Sequence, residues 1–206
     1  MDVTDVLGFW AVSLVFVIAP GSDWAYAISA GLRGRVVLPA VGGLLAGHLA
    51  ATLLVAAGVG ALIAGEPGLL GGLTLVGGAY LLWLGFTTFT RPAAAPEAAE
   101  GVVESSRARW LWKGFGVSGL NPKVLLLILA LLPQFTSTSA PWPVWAQIVV
   151  LGLIHVATCA AVYLTVAVTA RRVLSARPAA ARVVSRTSAV FMTGLGVALI
   201  VEHALV

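Results

Sequence analysis

The sequence predicts an all-α integral membrane protein: six transmembrane helices in an inverted 3+3 repeat, with helices 1 and 4 broken. Three observations carry that expectation. Of 206 residues, 60% are hydrophobic and only 10% charged, with a mean hydropathy of +1.02, too few polar groups to cover a water-facing surface. Residues 6–22, 36–65, 67–90, 124–170 and 187–201 contain no Asp, Glu, Lys or Arg, whereas a span needs about 20 apolar residues; the fourth of these runs is 47 residues long and therefore holds two spans. Prolines also stand inside the first and fourth spans, where an unbroken helix would not place them. The chain is read as one transmembrane domain over 1–206, with a first three-helix repeat at 1–90, a cytoplasmic loop at 91–109 and a second repeat at 110–206.

The formal net charge of +4 is not a nucleic-acid footprint, because the basic residues sort by loop instead of interleaving with aromatics on a polar surface. Arg33 and Arg35 follow span 1, Arg91, Arg107, Arg109 and Lys113 follow span 3, and Arg171, Arg172, Arg177, Arg182 and Arg186 follow span 5. The opposite ends carry Asp2, Asp5, Glu66 and Glu202 and no Lys or Arg, so the positive-inside rule places both termini outside the cytoplasm. The acidic N-terminus lacks the basic region of a secretory signal, and span 1 is expected to be retained. A single cysteine, Cys159, excludes an internal disulfide and a two-cysteine redox relay.

Span 1, residues 6–31, is apolar as far as Ala19 and then meets Pro20-Gly21-Ser22-Asp23. Pro20 and Gly21 disrupt the hydrogen-bond ladder, and Ser22 or Asp23 is suited to cap a new half-helix running to Gly31. Asp23 then lies well inside the membrane, where a carboxylate costs about 2.5–3.5 kcal/mol on insertion scales and marks a functional site by default. Its alternative role is to cap its own half-helix. Span 2, residues 36–64, brings Gly42, Gly43 and Gly47 onto adjoining turns for close helix approach. It also carries His48, which either gates protons or hydrogen-bonds a neighbouring helix. Span 3, residues 68–90, contains Gly77, Gly78 and Gly85 for packing, with Tyr80 supplying a hydroxyl. Trp110 and Trp112 mark an interface after the polar loop.

Span 4 contains Ser118 to Phe135, SGLNPKVLLLILALLPQF. Asn121 followed by Pro122 is a helix start, since the Asn side chain accepts from an orphan N–H and Pro at the first helical position has none to lose. The helix then meets Pro133, after roughly 16 Å, about half of a ~30 Å hydrocarbon core. A broken helix of this kind leaves backbone groups unpaired, and a bilayer tolerates them only against protein or beside a water-lined cavity. A cavity implies a solute. The half-helix amides, reinforced by Lys123, are expected to favour a carboxylate there, unless Lys123 snorkels to the interface. Span 5, residues 143–170, contains His155, and span 6, residues 183–206, contains Gly194 and Gly196. His48 and His155 lie about twelve residues into the second span of their halves, a loose sign of the inverted repeat; either Pro122 or Pro133 can correspond to Pro20.

These blocks resemble the LysE/RhtB family of bacterial amino-acid exporters. A PGP-N/D-like motif in span 1 is matched by Pro20-Gly21-Ser22-Asp23, with Ser22 where the family has its second proline. A G-x-x-YL-x-x-LG-like motif is matched between Gly77 and Gly85, and the NPK and PQF pair by Asn121-Pro122-Lys123 and Pro133-Gln134-Phe135. The resemblance covers essentially the whole chain. It implies a multi-pass protein of the bacterial inner membrane, and secondary export of amino acids or related small zwitterions driven by the proton gradient. The expected substrate contacts are Asp23, Ser22, Asn121, Lys123 and Gln134; the proton-coupling candidates are Asp23, His48 and His155; the helix breaks are Pro20, Gly21, Pro122 and Pro133. The expected partners are a small-molecule substrate, a proton and the lipid bilayer, with homo-oligomerisation left open and neither cofactor nor nucleic acid expected.

The alternative weighed is export of a metal or other inorganic ion from the same superfamily, which would want Cys, His and carboxylate ligands clustered together. One cysteine and three histidines, with His203 at the far outer end, argue against it, and no metal site is expected. A scaffold without transport would leave the intramembrane Asp23 and Lys123 unexplained. No zincin pattern, P-loop or nucleophile elbow occurs, so no enzyme is expected, and ATP-driven transport would require a partner chain.

Overall fold

The computed structural model describes residues 1–65 and 106–173, with single helical positions between 75 and 90 and between 186 and 201. The readings made above for spans 3 and 6, for Tyr80 and for most of the 91–109 loop lie outside the described residues. Among the described residues every regular element is helical.

Helix α1, Val3–Ile18, begins where the Asp5 carboxylate accepts the Asp2 N–H at 2.7 Å, half of a capping box. It ends ahead of Pro20, with Ala19 pushed into the extended conformation (φ −63°, ψ 120°) that a following proline imposes. After a bend of 58° the chain continues as α2, Ser22–Arg33. Gly34 closes α2 at φ 74°, a left-handed position that favours glycine.

Helix α3 spans Val37–Gly65, and its stretch Val37–Gly58 is long and apolar enough to cross a membrane. It lies directly against α4, Arg107–Gly119. A Cβ at Gly114 would sit 2.6 Å from the Ala40 carbonyl, one at Gly47 2.8 Å from the Phe115 carbonyl, and one at Gly43 would strike the Leu111 backbone. Small residues therefore let the two backbones touch. Ser106 caps α4, its hydroxyl accepting the Arg109 N–H at 3.3 Å, so Arg107 and Arg109 are helical, and the loop expected to run to 109 ends earlier.

A second bend, of 53°, separates α4 from the segment that follows. Asn121 caps it as expected, its side-chain oxygen accepting the Lys123 N–H at 3.0 Å. The segment is not one uniform half-helix. It passes from α5, Pro122–Leu126, through a π turn, Leu127–Leu131, to a 3₁₀ turn, Leu132–Phe135. Pro133 cannot donate, and its ring crowds the carbonyl four residues back, so the ladder widens just ahead of it.

Helix α6, Val144–Val173, includes the second membrane-length stretch, Val144–Ala170. The turn before it is held by the buried Gln147, whose amide oxygen takes the Ser137 N–H at 2.9 Å while its nitrogen donates to the Ser137 and Trp142 carbonyls. If each bent pair counts as one span, the described residues contain up to four. Apolar clusters surround the middle of the assembly, one joining α2, α3 and α6 through Tyr26, Leu44 and Tyr163, another joining Phe16 and Ala19 to Leu127 and Leu131.

Candidate functional site

The two helix breaks face one another across a small, partly open cavity. Its polar lining is Asp23, His48, Asn121, Lys123, His155 and Tyr163, and its apolar wall is Phe16, Val17, Trp24, Val124 and Leu127. Five helical segments supply these groups, and Asp23, His48, Asn121, His155 and Tyr163 are all buried.

Asp23 is the hub. Oδ1 accepts from Asn121 Nδ2 at 3.0 Å, and Oδ2 accepts from the Tyr163 hydroxyl at 3.0 Å. His48 Nε2 lies 3.4 Å from the same Oδ2. The other ring nitrogen, Nδ1, is 2.9 Å from the Leu44 carbonyl; a carbonyl only accepts, so Nδ1 carries a hydrogen. In neutral His48 the Nε2 atom is then a bare lone pair facing a carboxylate, two acceptors that do not attract. A proton on either group makes the contact favourable.

Behind this pair the His155 ring stands 5.0 Å from that of His48, centroid to centroid. Its Nδ1 is 2.7 Å from Ser13 Oγ and its Nε2 is 3.5 Å from Cys159 Sγ. On the other side, the half-buried Lys123 sends its ammonium to the Ala19 carbonyl at 2.7 Å. A cation there complements the negative end of α1. Trp24 closes the same break, its Nε1 donating to the Val17 carbonyl at 2.7 Å.

The structure thus brings together Asp23, Asn121, Lys123, His48 and His155, with Gly21 of the first break also on the cavity. Two expected contacts stay apart. Ser22 is exposed, with its hydroxyl 3.4 Å from Asp23 Oδ1, and Gln134 is exposed, its amide folded back onto the Ala130 carbonyl at 2.7 Å. Nor do Ser22 and Asp23 cap α2: its N-cap is Gly21, with no side-chain bond, because the Asp23 carboxylate is turned inward to Asn121 and Tyr163. The Lys123 amide is likewise taken by Asn121 rather than left open to the cavity. Three groups at the site were not anticipated, Ser13, Cys159 and Tyr163. A signal existed for two of them, since His155, Cys159 and Tyr163 repeat every four residues and so share one face of α6.

The sequence model of the LysE type translocators matches residues 14–203. The chain belongs to that family. Among the relatives of this LysE type translocator, an uncharacterized membrane protein of Vibrio cholerae is 35% identical over 74% of each chain. A homoserine/homoserine lactone efflux protein of Salmonella typhimurium is 31% identical over 68% of each chain. A cysteine/O-acetylserine efflux protein of Salmonella choleraesuis is 30% identical over 62% of this chain and 63% of its own length. No solved structure matches. The family is one of translocators, and two of these relatives are efflux proteins.

Proposed function

We propose that this translocator exports a small zwitterionic amino acid, or a close derivative, across the bacterial inner membrane. One observation carries the reading: a single cavity between two intramembrane helix breaks has a carboxylate, Asp23, on one break and an ammonium, Lys123, on the other. Opposite charges at the two ends of a small cavity suit a molecule that itself carries an ammonium and a carboxylate. In the present arrangement both groups are engaged internally, Asp23 by Asn121 and Tyr163 and Lys123 by Ala19, so a substrate would have to exchange for these bonds. The efflux activities named for the Salmonella relatives concern amino acids and derivatives of the same small size.

Export against a gradient needs an energy source, and the sequence contains no nucleotide-binding motif. The reading therefore includes proton coupling, for which Asp23, His48 and His155 line the cavity. It also includes six spans in an inverted repeat with both termini outside. Purified protein in liposomes, loaded with a panel of labelled amino acids and given a pH gradient, tests the activity. Efflux of at least one amino acid or derivative should exceed that of empty liposomes and should respond to the gradient; failure across the panel would contradict the proposal. For topology, introduced cysteines near Asp2, Glu66 and Ser139 should react from the outer side, and those near Arg33, Glu100 and Arg177 should not. Outer labelling at Glu100 would refute the orientation.

The ion-export alternative draws on the convergence of His48, His155 and Cys159. That cluster is better explained as a binding site than as a route, because Cys159 does not line the cavity.

A further inference from the structure

We propose that His48, His155 and Cys159, joined by Asp23, form a binding site for a divalent transition-metal ion of the zinc class. Ligand atoms of the two histidines and the cysteine lie within 4.8 Å of one another. A tetrahedral zinc ion, with bonds of about 2.0–2.3 Å, sets its ligands roughly 3.3–3.8 Å apart. Two edges already have that length, His155 Nε2 to Cys159 Sγ at 3.5 Å and His48 Nε2 to Asp23 Oδ2 at 3.4 Å. The other edges among the two histidines and the cysteine are at most 4.8 Å and need to close by up to about 1.5 Å, within the reach of side-chain rotation; Asp23 joins through its contact with His48.

The surroundings of the ligands fit a metal as well. Ligating histidines commonly donate their second ring N–H to a carbonyl or other oxygen, which fixes the ring and aims the free nitrogen inward. Here His48 Nδ1 is held by the Leu44 carbonyl at 2.9 Å and His155 Nδ1 lies 2.7 Å from Ser13 Oγ. Asp23 is oriented in turn by the Tyr163 hydroxyl. A thiolate with two imidazoles selects zinc, cobalt or copper over magnesium and calcium, which prefer oxygen. Binding releases the thiol proton, and one thiolate with one carboxylate neutralises the double charge of the ion. His48, His155 and Asp23 border the cavity, which gives the ion a way in. The site shares Asp23, His48 and His155 with the proposed export reading, and its test is read without any exported solute.

Cobalt(II) is the probe, because a thiolate ligand produces a charge-transfer band and four-coordination an intense visible spectrum. The chain has one cysteine, so any thiolate band reports Cys159. The purified full chain in detergent, titrated with cobalt(II) alone, should develop the thiolate band at one ion per chain and lose it when zinc is added. Cys159→Ser should abolish the band, His48→Gln and His155→Gln should each reduce affinity by at least ~10-fold, and Ser13→Ala, which loosens the His155 ring, should weaken it about 10-fold. His203→Gln should leave it unchanged. Circular dichroism without metal identifies variants that do not fold, and the wild-type result stands without them. Absence of the thiolate band in the folded wild-type protein would overturn the proposal. So would a band that survives replacement of both His48 and His155 in a folded variant.

Discussion

The two helix breaks solve the same problem with different parts. At the first, Pro20 ends α1 and the N-terminus of α2 is left to Gly21, so no side chain is consumed in capping and Asp23 is free to turn inward. At the second, Asn121 does both jobs, its oxygen holding the Lys123 amide and its nitrogen holding Asp23. Lys123 then reaches back to the Ala19 carbonyl of the first break. Neither break is complete alone, since each supplies a polar partner that the other lacks. The general lesson is that a cap built from backbone leaves a charged side chain available for a ligand, whereas a side-chain cap with a second hydrogen-bonding atom can position that charge.

The largest effect is expected from removing the charge at the hub. Asp23→Asn keeps size and some hydrogen bonding but deletes the carboxylate that Asn121, Tyr163 and His48 face. A buried substrate ammonium left without its carboxylate costs about 3–5 kcal/mol, so efflux in liposomes should fall by at least ~100-fold while the protein still inserts. Wild-type efflux from this variant would break the comparison at its centre.

Asn121→Ala should come next, because it removes one cap and one donor to Asp23. A lost cap costs about 1 kcal/mol, and a lost hydrogen bond to a charged group about 1.5–3 kcal/mol. Efflux should drop roughly 10- to 100-fold, and unfolding should move to lower temperature. Asn121→Asp, which can still cap, should restore the unfolding temperature more than the efflux, because it sets a second carboxylate against the first.

The smallest effect is expected at Gln134. Its side chain bonds only the Ala130 carbonyl and is exposed, so Gln134→Ala should change efflux by less than about threefold, in keeping with surface substitutions of ~0.5 kcal/mol. A large loss there would extend the site beyond the two breaks.

The sequence made both breaks legible for plain reasons. Proline cannot donate a ladder hydrogen bond wherever it stands, and an uncharged stretch of membrane length leaves few alternatives to a helix. Asp23, Lys123, Asn121 and the two histidines stood out because polar groups are rare in such stretches. What proximity in sequence could not provide was direction. Gln134 lies one residue beyond Pro133, yet the 3₁₀ turn points it away from the cavity, and the π turn before it shifts the register that a uniform helix would have kept. Tyr163 and Cys159 were obscured by residue type, because a tyrosine and a cysteine in an apolar helix ordinarily pack. Only the approach of α6 to α2, close enough that a Cβ at Gly31 would strike the Ala167 backbone, brings Tyr163 onto Asp23.

The central claim is that the two breaks hold opposite ends of one zwitterion. Its most direct test is efflux of an amino acid and of its methyl ester, measured side by side in liposomes for the wild-type protein and for Lys123→Met. The account predicts that the variant inserts normally, loses export of the free amino acid by at least ~10-fold, as expected for a lost charge-assisted contact, and loses much less for the ester, which has no carboxylate to bind. Equal losses for the two substrates would contradict it.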